Sequence, residues 1–409
     1  MENKRKMSRR KLFIYVAVAV ITVLLVCWVL FGSGYFWNGP KQNNNVFRGP
    51  FQDFVRDTVD KNKDGEITQE EYESVTEIRF ASDYIGNGPF LVTPEDKTRI
   101  PDPEGTITFK EGKFQWDPEW LSYFPNLREL YLVGCGIEEL DLSKNPNLEA
   151  VICSGNELKT LDLSANLKLA MLICDDNQIE QLILSASETY SELFFLDVSS
   201  NHLRKLDLSS MPELSYLRCQ INPLESLDVS ENREIAQIYC DNGHIESLSL
   251  VDLPELTYLC CSSNVIKKLR IENCPAIQAL CCDHNNLETL DLRGMPELLL
   301  LRCSENELSE LDLSSVSKLE KLDCWENKLT ALDLSSPSHL SELFCDCNEL
   351  ETLDVSGLRW LRKLSCQKNR LSSLDVSNNP FLKELNVSEN RIKDVDRNKC
   401  TELEMYFND

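Results

Sequence analysis

From Leu127 onward the chain repeats itself with a period of 21 residues, and this limits the fold more than any other feature. The unit reads L-x-x-L-x-C-x-x-N-x-L-x-x-L-D-L-S and is followed by a short turn, often with Pro. Its second Leu falls at Leu130, Val151, Leu172, Leu196, Leu217, Ile238, Leu259, Leu280, Leu301, Leu322, Leu343, Leu364 and Leu385, which makes thirteen coils. Every step is 21 residues except Leu172 to Leu196, which is 24 because of an insertion around Ser185–Glu192. One such unit cannot bury its apolar face alone, so neighbours must stack into a solenoid. It is also too short for a strand plus a full helix. The expectation is therefore a mainly β solenoid with little helix and two parallel ladders, L-x-C on one face and L-D-L-S on another. At a strand spacing of about 4.8 Å the stack is about 60 Å long.

Three columns of polar or thiol residues run through the repeat. The Asn column comprises Asn156, Asn177, Asn201, Asn222, Asn264, Asn285, Asn306, Asn327, Asn348, Asn369 and Asn390. A primary amide can bond backbone groups where the coil turns inside the solenoid and no water reaches. Cys135 and Gly243 interrupt that column. Ten of the 17 cysteines fill one position: Cys153, Cys174, Cys219, Cys240, Cys261, Cys282, Cys303, Cys324, Cys345 and Cys366. Leu132, Val198 and Val387 take that place in the other coils, so the slot is small and apolar and Cys packs there as a hydrophobe. The third column is Asp141, Asp162, Asp207, Asp228, Asp291, Asp312, Asp333, Asp354 and Asp375. Like charges at strand spacing repel, so each is expected to bond local backbone or hydroxyl groups such as the nearby Ser.

The wording LxCxxNxLxxLDVS covers about two thirds of the chain and resembles the bacterial leucine-rich repeat family. The full layout resembles surface proteins of Gram-positive anaerobes, an implied habitat in which exported thiols stay reduced.

The N-terminal third differs. Residues 1–11 carry six Lys/Arg and one Glu, net +5; the other 398 carry 36 bases and 66 acids, net -30. That acidity disfavours a nucleic-acid binder that works by neutralising phosphates. Residues 12–31 (LFIYVAVAVITVLLVCWVLF) are long and apolar enough to cross a bilayer. The basic tail at 1–11 then places the N-terminus in the cytoplasm and the rest outside, as a single-pass signal anchor. A cleaved signal peptide is the rival reading. Residues 32–45 read as a tether.

Residues 60–71, DKNKDGEITQEE, fit an EF-hand calcium loop. Asp60, Asn62 and Asp64 take positions 1, 3 and 5, and Gly65 makes the sharp turn. Glu66 offers its carbonyl, Thr68 acts directly or through water, and Glu71 is the bidentate ligand. Phe51, Phe54, Val55 and Val59 before the loop, and Tyr72, Val75 and Ile78 after it, follow helical spacing. This predicts a helix-loop-helix domain over 46–80 that binds Ca2+. Residues 81–126, with Phe109, Phe114, Trp116, Trp120 and Phe124, are assigned as the N-terminal cap of the repeats at 127–394. Residues 395–409, with Leu403, Met405 and Tyr406, are assigned as the C-terminal cap.

No nucleophile elbow, HExxH, phosphate loop or His-centred constellation is present, so recognition is favoured over catalysis. Residues flanking the core Leu and Cys of the first ladder should face solvent. They supply a candidate partner strip of Ile173, Phe195, Tyr216, Arg218, Tyr239, Tyr258, Arg302, Trp325 and Phe344. Exposed aromatics and Arg are what interface hot spots use; the competing explanation is that the rings stack to stabilise neighbouring strands. Cys260 and Cys281 each precede a core Cys, point outward and come from adjacent coils, so they form a candidate thiol pair. The leading expectation is a membrane-anchored extracellular protein whose solenoid binds a protein or cell-wall ligand. The alternative is a dockerin-like assembly module that docks through its calcium domain.

Overall fold

The computed structural model describes residues 59–60, 68–81, 106–109, 118–185 and 187–408. The transmembrane segment expected at 12–31 lies outside them, as do Asn62, Asp64 and Glu66 of the calcium loop. Among the described residues no helix is long and apolar enough to cross a membrane.

The repeats wind into a β-solenoid. One parallel sheet of 16 strands runs along it, from Thr106–Phe109 and Glu77–Ala81 through thirteen repeat strands, Glu129–Val133 to Glu384–Asn386, to Met405–Phe407. The repeat Leu positions are register partners from end to end: Leu130 pairs with Val151, Val151 with Leu172, Leu172 with Leu196, and so on to Leu385. The 24-residue step keeps this register because Tyr190 fills the inserted turn. Its ring is fully buried, its hydroxyl donates to Leu163 O at 2.9 Å, and Ser185 N–H donates to that hydroxyl at 3.1 Å.

Each ladder Asn joins two coils. Asn285 Nδ2 donates to Cys261 O of the preceding coil at 3.0 Å and to Cys282 O of its own at 3.1 Å. Its Oδ1 accepts Ile266 N–H of the preceding coil at 2.9 Å. The residue just before the Asn is left-handed in most coils, as at Asp176 (φ 53), Ile221 (φ 56) and Glu305 (φ 50). Such a conformation costs about 1–2 kcal/mol for a residue with a Cβ, and the amide clamp beside it holds the turn. A second, shorter Asn column went unread in the sequence. Asn145, Asn166, Asn232 and Asn379 are fully buried at the opposite turn, and each donates to two carbonyls of the coil before, as Asn166 does to Leu142 O and Asn145 O.

The ladder cysteines are buried and free, as small core residues. Several donate their thiol to a carbonyl of the next coil, among them Cys282 to Arg302 O at 3.4 Å and Cys345 to Ser365 O at 3.5 Å.

The second ladder departs from expectation. Among the described residues it is not continuous: strands pair only between Thr160–Asp162 and Gln181–Ile183 and between Ser247–Val251 and Lys268–Glu272. The cause is the Asp column. All nine carboxylates accept the backbone N–H two residues on, from Ser143 N to Asp141 at 2.8 Å through to Ser377 N to Asp375 at 2.8 Å. That local bond bends the chain and competes with a ladder. Ile183, Ser249 and Arg270 stand where the other coils have Asp, and the strands that do form all involve those coils.

The ends also differ from the reading above. Helix α1 covers only Gln69–Glu73, and the helical run expected through Ile78 stops there. Ile78 instead lies in the strand Glu77–Ala81, paired with Leu130 and fully buried. Thr76 O accepts Arg128 N–H (2.8 Å) and Glu129 N–H (3.1 Å), which turns the chain into the sheet. Of the five cap aromatics, Phe124 is fully buried, while Phe114 and Trp116 lie outside the described residues. At the far end Tyr406 takes the Leu position opposite Leu385, and the Arg397 guanidinium covers its ring at 3.8 Å. Met405, assigned to the cap, is largely exposed.

Asn285→Ala leaves one backbone N–H and the carbonyls of two coils without their partner. It should cost about 3 kcal/mol in urea unfolding, while Asp312→Ala, which removes one solvent-facing bond, should cost clearly less.

Candidate functional site

The accessible side of the 16-stranded sheet carries two columns that flank the core Leu. The first runs Met171, Phe195, Tyr216, Gln237, Tyr258, Ala279, Leu300, Lys321, Glu342, Lys363 and Glu384. The second runs Ile173, Asp197, Arg218, Tyr239, Cys260, Cys281, Arg302, Asp323, Phe344, Ser365, Asn386 and Phe407 through the same pairings and the last strand. Trp325 lies two residues beyond the strand Lys321–Asp323, after the core Cys324.

Four of the nine residues of the expected strip, Phe195, Tyr216, Tyr258 and Ile173, are buried. In-register parallel strands hold successive rings about 4.8 Å apart, close to the contact distance of stacked aromatics. Phe195 and Tyr216 stack at 4.5 Å and 8°, Tyr216 and Tyr239 meet at 5.7 Å and 41°, and Tyr239 and Tyr258 stack at 4.7 Å and 26°. Each ring covers the next, so stacking accounts for these residues. Tyr239, Trp325 and Phe344 stay half-buried, and the Arg302 side chain is 49% exposed.

The charges between them are more deeply set than the sequence indicated. Asp197 is buried against Arg218 at 3.2 Å, and Ser199 Oγ donates to it at 2.5 Å. The Arg218 guanidinium also lies 5.7 Å from the Tyr239 ring centre. Arg302 sits between two carboxylates, 3.3 Å from Asp283 and 4.0 Å from Asp323. Ser262 Oγ donates to Asp283 at 3.1 Å and Ser304 Oγ to Asp323 at 2.6 Å. Burial pushes Asp197 and Asp323 up to about 6, and the nearby Arg and Ser groups offset only part of that. Asp283 is raised by the same cause. The serines were missed because Ser on a β face carries no sequence signal of its own; only its alternation with Asp in the position after the core Cys could have exposed it.

Beyond Leu300 the first column changes character. Lys321 pairs with Glu342 at 3.2 Å and Lys363 with Glu384 at 3.2 Å. A shallow hollow follows at the last coils, between Phe344 and Phe407 over Ser365 and Asn386.

Cys260 and Cys281 are register partners on this face, but they do not project into open solvent. Cys281 is buried, Cys260 is half-buried, and both are free. His284 is turned away to Glu305 at 2.7 Å. Among the described residues no group of three or more His, Cys, Asp or Glu is arranged to hold a metal ion. Of the calcium-loop residues, Asp60 is buried. Thr68 is the N-cap of α1, and Glu71 Oε2 accepts its N–H and hydroxyl, both at 2.9 Å.

Solved structures share this architecture. The functional domain of InlJ from Listeria monocytogenes, which includes a cysteine ladder, matches with TM-score 0.59 and 32% identity over 66% of this chain. The fold is that of a leucine-rich-repeat solenoid. The match spans 65% of that InlJ chain. The internalin InlF from the same species matches with TM-score 0.62 and 19% identity, over 87% of this chain and 94% of that one. YopM, a leucine-rich effector protein from Yersinia pestis, matches with TM-score 0.53 and 26% identity, over 70% and 84%. No protein-family model matches the sequence, and no curated protein does.

The raised carboxylates set a pH dependence. The folded protein takes up protons at Asp197 and Asp323 near pH 6 that the unfolded chain takes up only near the ordinary carboxyl value of 3.8. Their contribution to stability therefore rises as pH falls from about 7 to about 5. Asp323→Asn should remove about 1 kcal/mol of that gain, read by comparing urea midpoints of the two proteins at both pH values.

Proposed function

We propose that this chain is a recognition protein that holds a protein or cell-wall ligand on the face of its long sheet. The observation that carries this is the accessible set Tyr239, Arg302, Trp325 and Phe344 on the face of a long parallel sheet. The stacked rings behind need no ligand to account for them; these four side chains keep open contact area of the kind that anchors interfaces. The likeness to InlJ, whose matching region is that protein's functional domain, supports reading the solenoid as the working part.

Residues 12–31 act as a signal anchor in this proposal and place the solenoid outside the cell, on the strength of their apolar length and the basic tail before them. The loop at Asp60–Glu71 takes up Ca2+. Supporting this, α1 begins at position 10 of the loop, with Thr68 as N-cap at position 9 and Glu71 in its first turn at position 12. Because the strand Glu77–Ala81 belongs to the long sheet, the ion would brace the first coil rather than an independent domain.

Capture of ligand from the native surroundings by residues 32–409 should fall at least about tenfold in Arg302→Ala/Trp325→Ala/Phe344→Ala. It should stay unchanged in Lys328→Ala/Arg370→Ala at the solenoid edge. Equal capture by the first variant and wild type would reject the strip. Calorimetry of residues 32–409 should show saturable Ca2+ binding with Kd on the order of 10⁻⁴–10⁻³ M, lost in Glu71→Gln. Absence of heat in the wild type rejects the calcium reading.

A further inference from the structure

We propose that Cys260 and Cys281 are a redox modification site, a cross-strand dithiol that a small disulfide oxidant closes into a bond between the seventh and eighth coils. The two residues are Cα partners on adjacent parallel strands. At the roughly 4.8 Å spacing of such strands they fall inside the range of about 4.4–6.8 Å between Cα atoms that a disulfide spans. Both side chains lie in the same column of the sheet face, and the Cys260 thiol donates to Ser262 Oγ at 3.9 Å. Tyr258, whose ring stacks on Tyr239, stands two residues before Cys260 in the same strand. Ala279 beside Tyr258 in the first column adds no bulk over the pair. Arg302 is the next residue in their own column, and its cationic head favours a developing thiolate.

The other described thiols lack this combination. The core ladder places thiols in successive coils, but they are sealed from solvent, as Cys261 and Cys282 are at 0% exposure. Cys347 is accessible, yet the same turn position in the neighbouring coils holds Glu326 and Lys368. The pair at Cys260 and Cys281 thus joins an accessible thiol to a matched neighbour.

The reaction balances with oxidised glutathione as the oxidant. The half-buried Cys260, as thiolate, attacks one glutathione sulfur and expels a glutathione thiolate, which leaves a mixed disulfide. Cys281, as thiolate, then attacks the Cys260 sulfur and expels the second glutathione. Two protein thiols are oxidised, one disulfide is reduced to two thiols, and the two protons end on the released glutathione. The neighbouring Cys281 thiol and burial hold the Cys260 thiol well above its usual range, so the reaction should be slow at neutral pH and accelerate as pH is raised toward 9.

The test treats the full chain, purified reduced, with oxidised glutathione at about pH 8.5. The expected result is loss of two of the seventeen thiols, restored by reductant, with peptide mapping of the wild type joining Cys260 to Cys281. Cys260→Ser should leave the Cys281 thiol free, and Cys281→Ser should stop at a glutathione adduct on Cys260. An unchanged thiol count in the wild type, a bond mapped between core-ladder cysteines, or a mixed disulfide at Cys260 that never closes would each overturn the proposal. Mapping on the wild type keeps the outcome decisive even if a variant folds poorly.

Discussion

A solenoid with so short a repeat must turn sharply on every coil, and each turn aims backbone carbonyls and amides into a core that water cannot enter. Leaving such a group unpaired costs about 1–3 kcal/mol, and thirteen coils multiply the problem. The ladder Asn solves it with one side chain, donating to carbonyls of two coils and accepting an amide from the earlier one. Because this bond crosses coils, it also sets their spacing and register. The in-register Leu core, the thiol packing and the stacked rings all follow from that alignment.

The opposite side shows what happens when a side chain supports its own coil instead. Each Asp of the L-D-L-S stretch bonds a backbone amide two residues away, inside the same coil. This fixes a tight corner and lets rows of like charge stand side by side, since each carboxylate is already held. The hydrogen bonds from the residue two on hold Asp312, Asp333 and Asp354 below the usual carboxylate range. The sheet pairing lost there is recovered only where Ile183, Ser249 or Arg270 removes the competitor. Asp162 makes the same local bond and still ends a strand, because its neighbour Ile183 carries no such competitor.

This explains which features were legible in the sequence. The period, the coil count, the register and the apolar character of the Cys slot depend on spacing and size, and spacing is visible in a one-dimensional string. The fate of L-D-L-S was not, because alternating Leu reads as a strand whether or not Asp bends it. Tyr72, Val75 and Ile78 have helical spacing, but Ile78 also fits the Leu position of an extra coil, and pairing with Leu130 prevails. For the candidate site, spacing set which residues share a sheet face, but their exposure was not legible from it. Whether Tyr216 is open or covered depends on Phe195 and Tyr239, residues 21 positions away on either side.

That last dependence gives the face its division of labour. In the fourth to seventh coils neighbouring rings satisfy one another, and the arginine of this stretch, Arg218, is committed to a buried carboxylate. From the eighth coil on, the columns lose their ring partners. Ala279 and Leu300 follow Tyr258, Arg302 is shared between two carboxylates at longer range, and Trp325 and Phe344 stack on no other ring among the described residues. Side chains whose contacts are complete within the fold gain little from a partner, whereas those with incomplete contacts gain most. The binding surface should therefore be centred on Arg302, Trp325 and Phe344, with the tyrosine stack serving as its rigid footing.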